Sequence, residues 1–157
     1  MLHQAISPDD DTMSETNVSI AHLMAAGFRP AGRWETPDGA SLARGFDVDR
    51  KPGVYVYAVN GVIAYVGSAQ RGLHRRLRHY EISKKMKTAM RIRSEILASL
   101  ARGDAVDVYL LPAPPAMFWN GLPVDAIAGI EDGLIRKINP PWNIRGSRRT
   151  ARVVSGA

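Results

Sequence analysis

The spacing of apolar residues changes period along the chain, and each change marks an element. From Val54 to Val59 and from Val62 to Val66 the residues are Val, Ile, Ala and Tyr in short runs joined by Asn60-Gly61. Such runs around an Asn-Gly pair predict a β-hairpin with a two-residue turn. Leu73 and Leu77 then share a helical face, which predicts a short helix over 73–80. A longer amphipathic pattern over 87–101 places Met90, Ile96, Leu97 and Leu100 inward, with Gly103 near its end. Val106 to Leu111 reads as a third strand, ended by Pro112, Pro114 and Pro115. Helical spacing returns from Val124 to Ile138, with Ile127, Ile130, Leu134, Ile135 and Ile138 as its inner stripe, until Asn139-Pro140-Pro141-Trp142-Asn143 breaks it.

The first part of the chain is less regular. Ile20, Leu23, Met24 and Phe28 sit at helical spacing, with Asn17 or Ser19 able to cap and Gly27 placed to stop a short helix. Residues 29–52 are rich in turn dipeptides, and Pro37-Asp38-Gly39 predicts a tight turn between short extended pieces. The expectation is an α+β fold: a small three-stranded antiparallel sheet flanked by helices. The chain divides into a loose tail (1–16), an extension packed on the core (17–51), the main domain (52–145) and a basic tail (146–157).

Composition narrows the class. The chain has 157 residues, 45% of them hydrophobic, enough for one domain with a real core. It has no cysteine, so disulfides and thiolate metal sites are excluded. No apolar run approaches the roughly 18 residues of a spanning helix, and the N-terminus lacks the pattern of a signal peptide. The expected location is cytoplasmic, without membrane contact, and the oligomeric state is open. A formal net charge of +6 favours polyanionic partners.

The positive charge is concentrated where chemistry could use it. Gly67 is followed by Arg71, Arg75, Arg76 and Arg78, with His74 and His79 among them, and Lys84, Lys85, Lys87, Arg91 and Arg93 extend the run. One arginine directed into a cleft could neutralise a phosphate, while the rest grip flanking phosphates or face solvent. Exposed N–H groups at the start of this helix could help hold an anion. Glu131 sits beside an apolar stripe, so its carboxylate needs a partner: an arginine such as Arg76 or Arg136, or a Mg²⁺ ion. The histidines show no metal-ligand spacing. Tyr55 and Tyr65 are either cross-strand packing aromatics or site residues. A plain two-residue turn sets 56 opposite 65, which puts the two tyrosines on opposite faces unless a bulge intervenes.

Set in this layout, the chain resembles the GIY-YIG nuclease superfamily, as a small member with an N-terminal extension. Gly53-Val54-Tyr55 stands where the first triplet of that family stands, and Tyr65-Val66-Gly67 where the second does. Leu73-His74-Arg75-Arg76-Leu77 matches the basic helix, with Arg76 as the signature arginine. Glu131 matches the helix glutamate, and Asn143 the asparagine that follows a proline. The similarity spans about residues 52–145.

The resemblance implies a Mg²⁺-dependent DNA endonuclease, with Mn²⁺ as a possible substitute. In that reading Tyr55, partnered by Tyr65, takes a proton from the attacking water, Arg76 stabilises the added charge, and Glu131 holds the metal. Asn143 bonds near the substrate or locks its loop to the site. Gly67, Arg71, Arg75, Arg78, His79, Lys84, Lys85 and Lys87 would contact the nucleic acid. Many relatives carry a histidine four residues after the arginine, where this chain has Tyr80. Tyr80 is then a local variant of that role, or turnover is reduced. Two other classes stay open: a nucleic-acid-binding module with reduced catalysis, and a structural or protein-interaction domain. With Tyr55 partly exposed, loss of its hydroxyl would cost about 0.5–1.5 kcal/mol of stability.

Overall fold

In the computed structural model, residues 17–144 are described. The two tails, at 1–16 and 146–157, and His3 lie outside them. Helix α1 (Ile20–Ala25) begins at a reciprocal cap: Ser19 Oγ accepts from His22 N, and His22 Nδ1 accepts from Ser19 N. It ends at Gly27, whose φ of 110° suits glycine, and Phe28 N–H then bonds back to the Leu23 carbonyl.

Seven strands and three further helices follow: β1 (Arg29–Glu35), β2 (Ala43–Arg44), β3 (Gly53–Val59), β4 (Val62–Ala69), α2 (Leu73–Ile82), α3 (Lys87–Ala101), β5 (Val106–Pro112), β6 (Met117–Trp119), β7 (Leu122–Val124) and α4 (Ala126–Ile138). The main sheet is antiparallel throughout and has five strands in the order β2-β1-β5-β3-β4; β6 and β7 form a separate hairpin. The expectation of a small three-stranded sheet is therefore wrong. The two added strands come from the stretch that reads as turns. Pro30 lacks a donor and Gly32 lacks a side chain, which hides strand character, and a bulge between them absorbs both against β5. The β6–β7 hairpin carries its own turn signal, Asn120-Gly121, with φ of 48° and 81°. The last helix begins at Ala126 and not at Val124, which ends the second strand of this hairpin.

Alternation along the strands gives the sheet two apolar faces. Tyr55, Tyr57, Val106, Val108 and Leu110 point to one face and pack under α2 and α3 through Leu73, Leu77, Tyr80, Ile92 and Ile96. Val54, Val56, Ile63 and Val66 point to the other, against Leu23 and Phe28 and the α4 residue Ile127. On α3 the inward residues are Ala89, Ile92, Ile96 and Ser99; Met90, expected inside, is exposed. Ile96 is buried as expected and Leu97 and Leu100 pack partly buried against the same core, so the stripe is displaced by about one residue, toward Ala89 and Ser99.

The hairpin settles how two tyrosines can share a face. Around Asn60-Gly61, Val59 pairs with Val62 and Ala58 with Ile63, but Tyr57 pairs with Tyr65. Ala64 is thus an extra residue on β4. This bulge reverses the facing of everything beyond it, so Tyr65 joins Tyr55 and Tyr57 on the α2/α3 face.

Candidate active site

A cleft of about 750 Å³ opens at one edge of the sheet, lined by Tyr55, Tyr65, Gly67, Ser68, Arg76, Lys87, Thr88, Arg91, Glu131 and Asn143 together with Met86, Ile135 and Ile144. Strands β3 and β4, all of α2 to α4 and the segment after α4 each contribute. Side chains far apart in sequence therefore converge on rigid elements.

The floor is a connected set of phenols under a guanidinium. The Tyr55 and Tyr80 hydroxyl oxygens are 2.5 Å apart, and Arg76 Nε donates to the Tyr55 oxygen at 3.2 Å. The Arg76 guanidinium carbon also lies 5.8 Å from the centre of the Tyr80 ring. Tyr55 is 0% exposed, so its phenol is sealed rather than partly exposed as expected. Burial pushes it well above its ordinary value, the neighbouring Tyr65 adds to that, and Arg76 and the Tyr80 hydrogen bond pull it partly back. Tyr80 is likewise raised, chiefly by burial and then by Tyr55. For Arg76, burial works against the charge, but the oxygens of Tyr55 and Tyr80 outweigh it and hold the guanidinium firmly protonated.

The opposite wall carries Glu131, which accepts a hydrogen bond from Ser68 Oγ. Neither arginine suggested as its partner takes that place: Arg136 pairs with Asp132 at 2.9 Å, one turn along the same helix. Ser68 gave no signal in the sequence beyond following the second triplet. No cluster of three or more His, Asp or Glu able to hold an ion occurs among the described residues. One carboxylate completed by substrate oxygens and water suits a hard divalent ion that keeps most of its hydration, and not a self-sufficient protein cage.

Asn143 is 7% exposed and both ends of its amide are occupied, accepting from Val66 N at 2.9 Å and donating to Val66 O at 2.8 Å. Because β4 is an edge strand, these outward backbone groups would otherwise lack a partner. Trp142 N–H extends the lock to the Ala64 carbonyl at the bulge. Asn143 thus holds the segment after α4 against the strand that carries Tyr65.

The basic residues divide sharply. Arg71, Arg75 and His79 line a side groove of about 260 Å³ that meets the cleft at Ser68, Arg76 and Met86. Burial, then Arg76 and Arg75, lower the His79 pKa below its ordinary value. Lys87 and Arg91 line the cleft itself. Arg78, Lys84 and Lys85 are exposed and line neither space. Arg93 is committed to the carbonyls of Tyr80, Glu81 and Ser83, where it caps α2. The start of α2 is not open to an anion, because the N–H groups of Leu73 and His74 already bond the carbonyls of Lys51 and Asp49.

The molecule is therefore an antiparallel sheet between helices, with a cationic cleft floored by tyrosines and walled by a single glutamate. The sequence matches no protein-family model. Over 102 residues, 61% of this chain and 74% of the relative, it is 30% identical to Endonuclease II of Enterobacteria phage T4. The chain belongs to the family of that protein. The structure of a bacteriophage T4 EndoII mutant shares the fold, with a TM-score of 0.64 at 19% identity over 80% of this chain and 99% of that one. Restriction endonuclease HPY188I in complex with product DNA gives a TM-score of 0.45 at 15% identity, over 87% of this chain and 90% of that one.

Proposed function

We propose that this protein is a DNA endonuclease of the GIY-YIG type, hydrolysing phosphodiester bonds with water as nucleophile. The observation that carries this reading is the convergence of Tyr55, Tyr65, Arg76 and Glu131, from four different elements, on one cationic cleft. Membership of the Endonuclease II family supports it.

In this reading the scissile phosphate enters between Arg76 and Glu131, with Lys87 and Arg91 on flanking phosphates. Arg76 turns from Tyr55 to the phosphate and stabilises charge as it builds on the phosphoryl oxygens. The same movement uncovers the Tyr55 oxygen. Tyr55 first loses its own proton to solvent; the phenolate then takes a proton from water as the water oxygen bonds phosphorus, and the bond to the leaving oxygen breaks in line. Tyr65 orients the water. Tyr80 donates to Tyr55 and favours its ionised form, which is the role we assign in place of a histidine. Glu131 would hold Mg²⁺ or Mn²⁺, which supplies positive charge at the phosphate when bound.

A second reading has its own support. Tyr55 is sealed from solvent and its phenol is hard to ionise, as suits a DNA-binding module with reduced turnover. A plasmid-nicking assay with added Mg²⁺, with and without chelator, separates the two. Chelator-sensitive nicks are expected. Salt-sensitive DNA binding without any nicks would establish the binding module instead.

A further inference from the structure

The β6–β7 hairpin exposes its apolar side chains. Met117, Phe118, Trp119, Leu122 and Val124 are 52%, 67%, 69%, 66% and 43% exposed. Register places Met117 opposite Val124 and Trp119 opposite Leu122 on one face, and Phe118 opposite Pro123 on the other. A hairpin lying on a protein surface keeps one polar face. This one is apolar on both, which is the pattern of an element that enters something.

Its position says what it enters. The hairpin springs from the end of β5 and returns at Asp125, the cap of α4, the helix that carries Glu131. Asp125 also accepts from Gln70 Nε2 at 2.8 Å, and Gln70 lines the side groove with Arg71, Arg75 and His79. The base of the hairpin is thus tied to the cationic groove beside the cleft. From Asp125 to Glu131 the helix rises only about 9 Å, so the base of the hairpin lies near the glutamate.

We infer that the hairpin inserts into a groove of the DNA and stacks Trp119, with Phe118, against bases flanking the cut. This rests on the endonuclease reading. Strands of three residues project on the order of 10 Å, comparable to the depth of a DNA groove, and the major groove admits a two-stranded ribbon. Aromatic and apolar wedges act on base steps in this way. A second copy of the chain is the other candidate occupant. The exposed patch is only on the order of a few hundred Å², against the roughly 800 Å² per partner of a stable protein interface. The adjoining cationic groove also favours a polyanion.

The test uses the full chain and a short duplex, and starts with wild type. Trp34 and Trp142 are buried and Trp119 is exposed, so the fluorescence of Trp119 is read as the difference between wild type and Trp119→Phe. DNA binding is expected to quench its fluorescence, and Trp119→Ala to weaken binding about 10- to 100-fold. Trp119→Phe is expected to restore most of that affinity, which a general folding defect would not allow. Unchanged fluorescence on saturation, or wild-type affinity in Trp119→Ala with Phe118→Ala, would overturn the inference while leaving the endonuclease reading intact. Self-association that these variants abolish, with DNA affinity unchanged, would assign the hairpin to a second copy. Neither nicks nor salt-sensitive DNA binding from wild type would remove the endonuclease reading, and this inference with it.

Discussion

Gly67 stands directly across the hairpin from Tyr55, and the end of the Tyr55 phenol lies where a side chain at 67 would be. A Cβ there would overlap the ring and its hydroxyl. The backbone at 67 has no left-handed conformation that would demand glycine. The residue is therefore required for space, and it fixes where the phenol oxygen sits relative to Arg76 and Tyr80.

That relationship gives the first prediction. Gly67→Ala must push Tyr55 aside, breaking its bonds to Tyr80 and Arg76. Nicking should fall by about 10² or more, because misplacement by an ångström is enough to do so. Thermal unfolding should shift down but remain cooperative. Wild-type rates from a folded Gly67→Ala protein would show that the position of Tyr55 does not matter.

Arg76 and Arg75 adjoin in sequence and both border the side groove, but only Arg76 reaches the cleft. Arg76 sits in the cleft against Tyr55; Arg75 is exposed and lines only the side groove. Arg76→Ala should lower the single-turnover rate far more than it weakens DNA binding, since its charge acts on the transition state. Arg75→Ala should weaken binding and reduce the salt slope by about one. Equal rate losses from both, at saturating DNA, would contradict this division.

For Glu131 the isosteric Glu131→Gln keeps the shape and can still bond Ser68. It removes the negative charge that would attract a divalent ion. Metal-dependent nicking should drop by at least about 10², with DNA affinity in chelator unchanged or slightly raised. Titration calorimetry with Mn²⁺ and a non-cleavable duplex should show loss of ion uptake. Ser68→Ala, which takes away only a hydrogen bond, should be milder.

The buried phenols make a pH prediction with a definite sign. Tyr55, Tyr57 and Tyr80 are all raised above the ordinary value near 10, in each case mainly by burial. The fold therefore holds these protons more tightly than the unfolded chain does. Their contribution to stability is complete below about pH 10 and is lost as pH rises toward the folded values. Each phenol that ionises only on unfolding contributes a slope of about 1.4 kcal/mol per pH unit. Urea midpoints measured from pH 8 to 11.5, with tyrosinate absorbance as a second probe, should fall only in the upper half of that range. A flat profile would mean that these phenols ionise without unfolding.

What was legible in the sequence was what rests on local pattern. Val54–Val59, Asn60-Gly61 and the Leu73/Leu77 pair gave the hairpin and α2 because period and turn chemistry act over a few residues. Strand β1 was hidden because Pro30 and Gly32 weaken every local signal, and only pairing with β5 makes the segment a strand. The β6–β7 hairpin is absent from the sequence expectation although Asn120-Gly121 repeats the signal of Asn60-Gly61; its strands have only three residues each and one contains Pro123, too short for a period to show. Convergence of the site depends on one residue, Ala64. Its bulge is a property of the pairing and not of the alanine, so sequence could state that Tyr55 and Tyr65 need a bulge but could not supply it.

The last prediction separates two hydroxyls in one hydrogen bond. Tyr55 and Tyr80 are both fully buried, 2.5 Å apart at their oxygens, and only Tyr55 lines the cleft. Tyr55→Phe leaves the Tyr80 hydroxyl and Arg76 Nε without a shared acceptor in a sealed site, so its cost should be about 1–3 kcal/mol, more than that of losing an exposed bond. Tyr80→Phe strands one partner of Tyr55 but leaves Arg76 in place, so its stability cost should be the smaller. Rates should diverge more than stabilities. If Tyr55 receives the proton of the attacking water, Tyr55→Phe removes the acceptor and single-turnover nicking should fall by 10²–10⁴, the usual span for loss of a general base. Tyr80→Phe leaves the acceptor but withdraws a donor to its ionised form, which raises the Tyr55 pKa further. Nicking by that variant should fall less, and its rate–pH profile should move toward higher pH. A shift in that direction belongs to a positioning residue and would not arise from a packing defect. An unshifted profile in Tyr80→Phe, with Tyr55→Phe as fast as wild type, would remove the phenol pair from the chemistry and leave Arg76 and Glu131 as the working groups of the cleft.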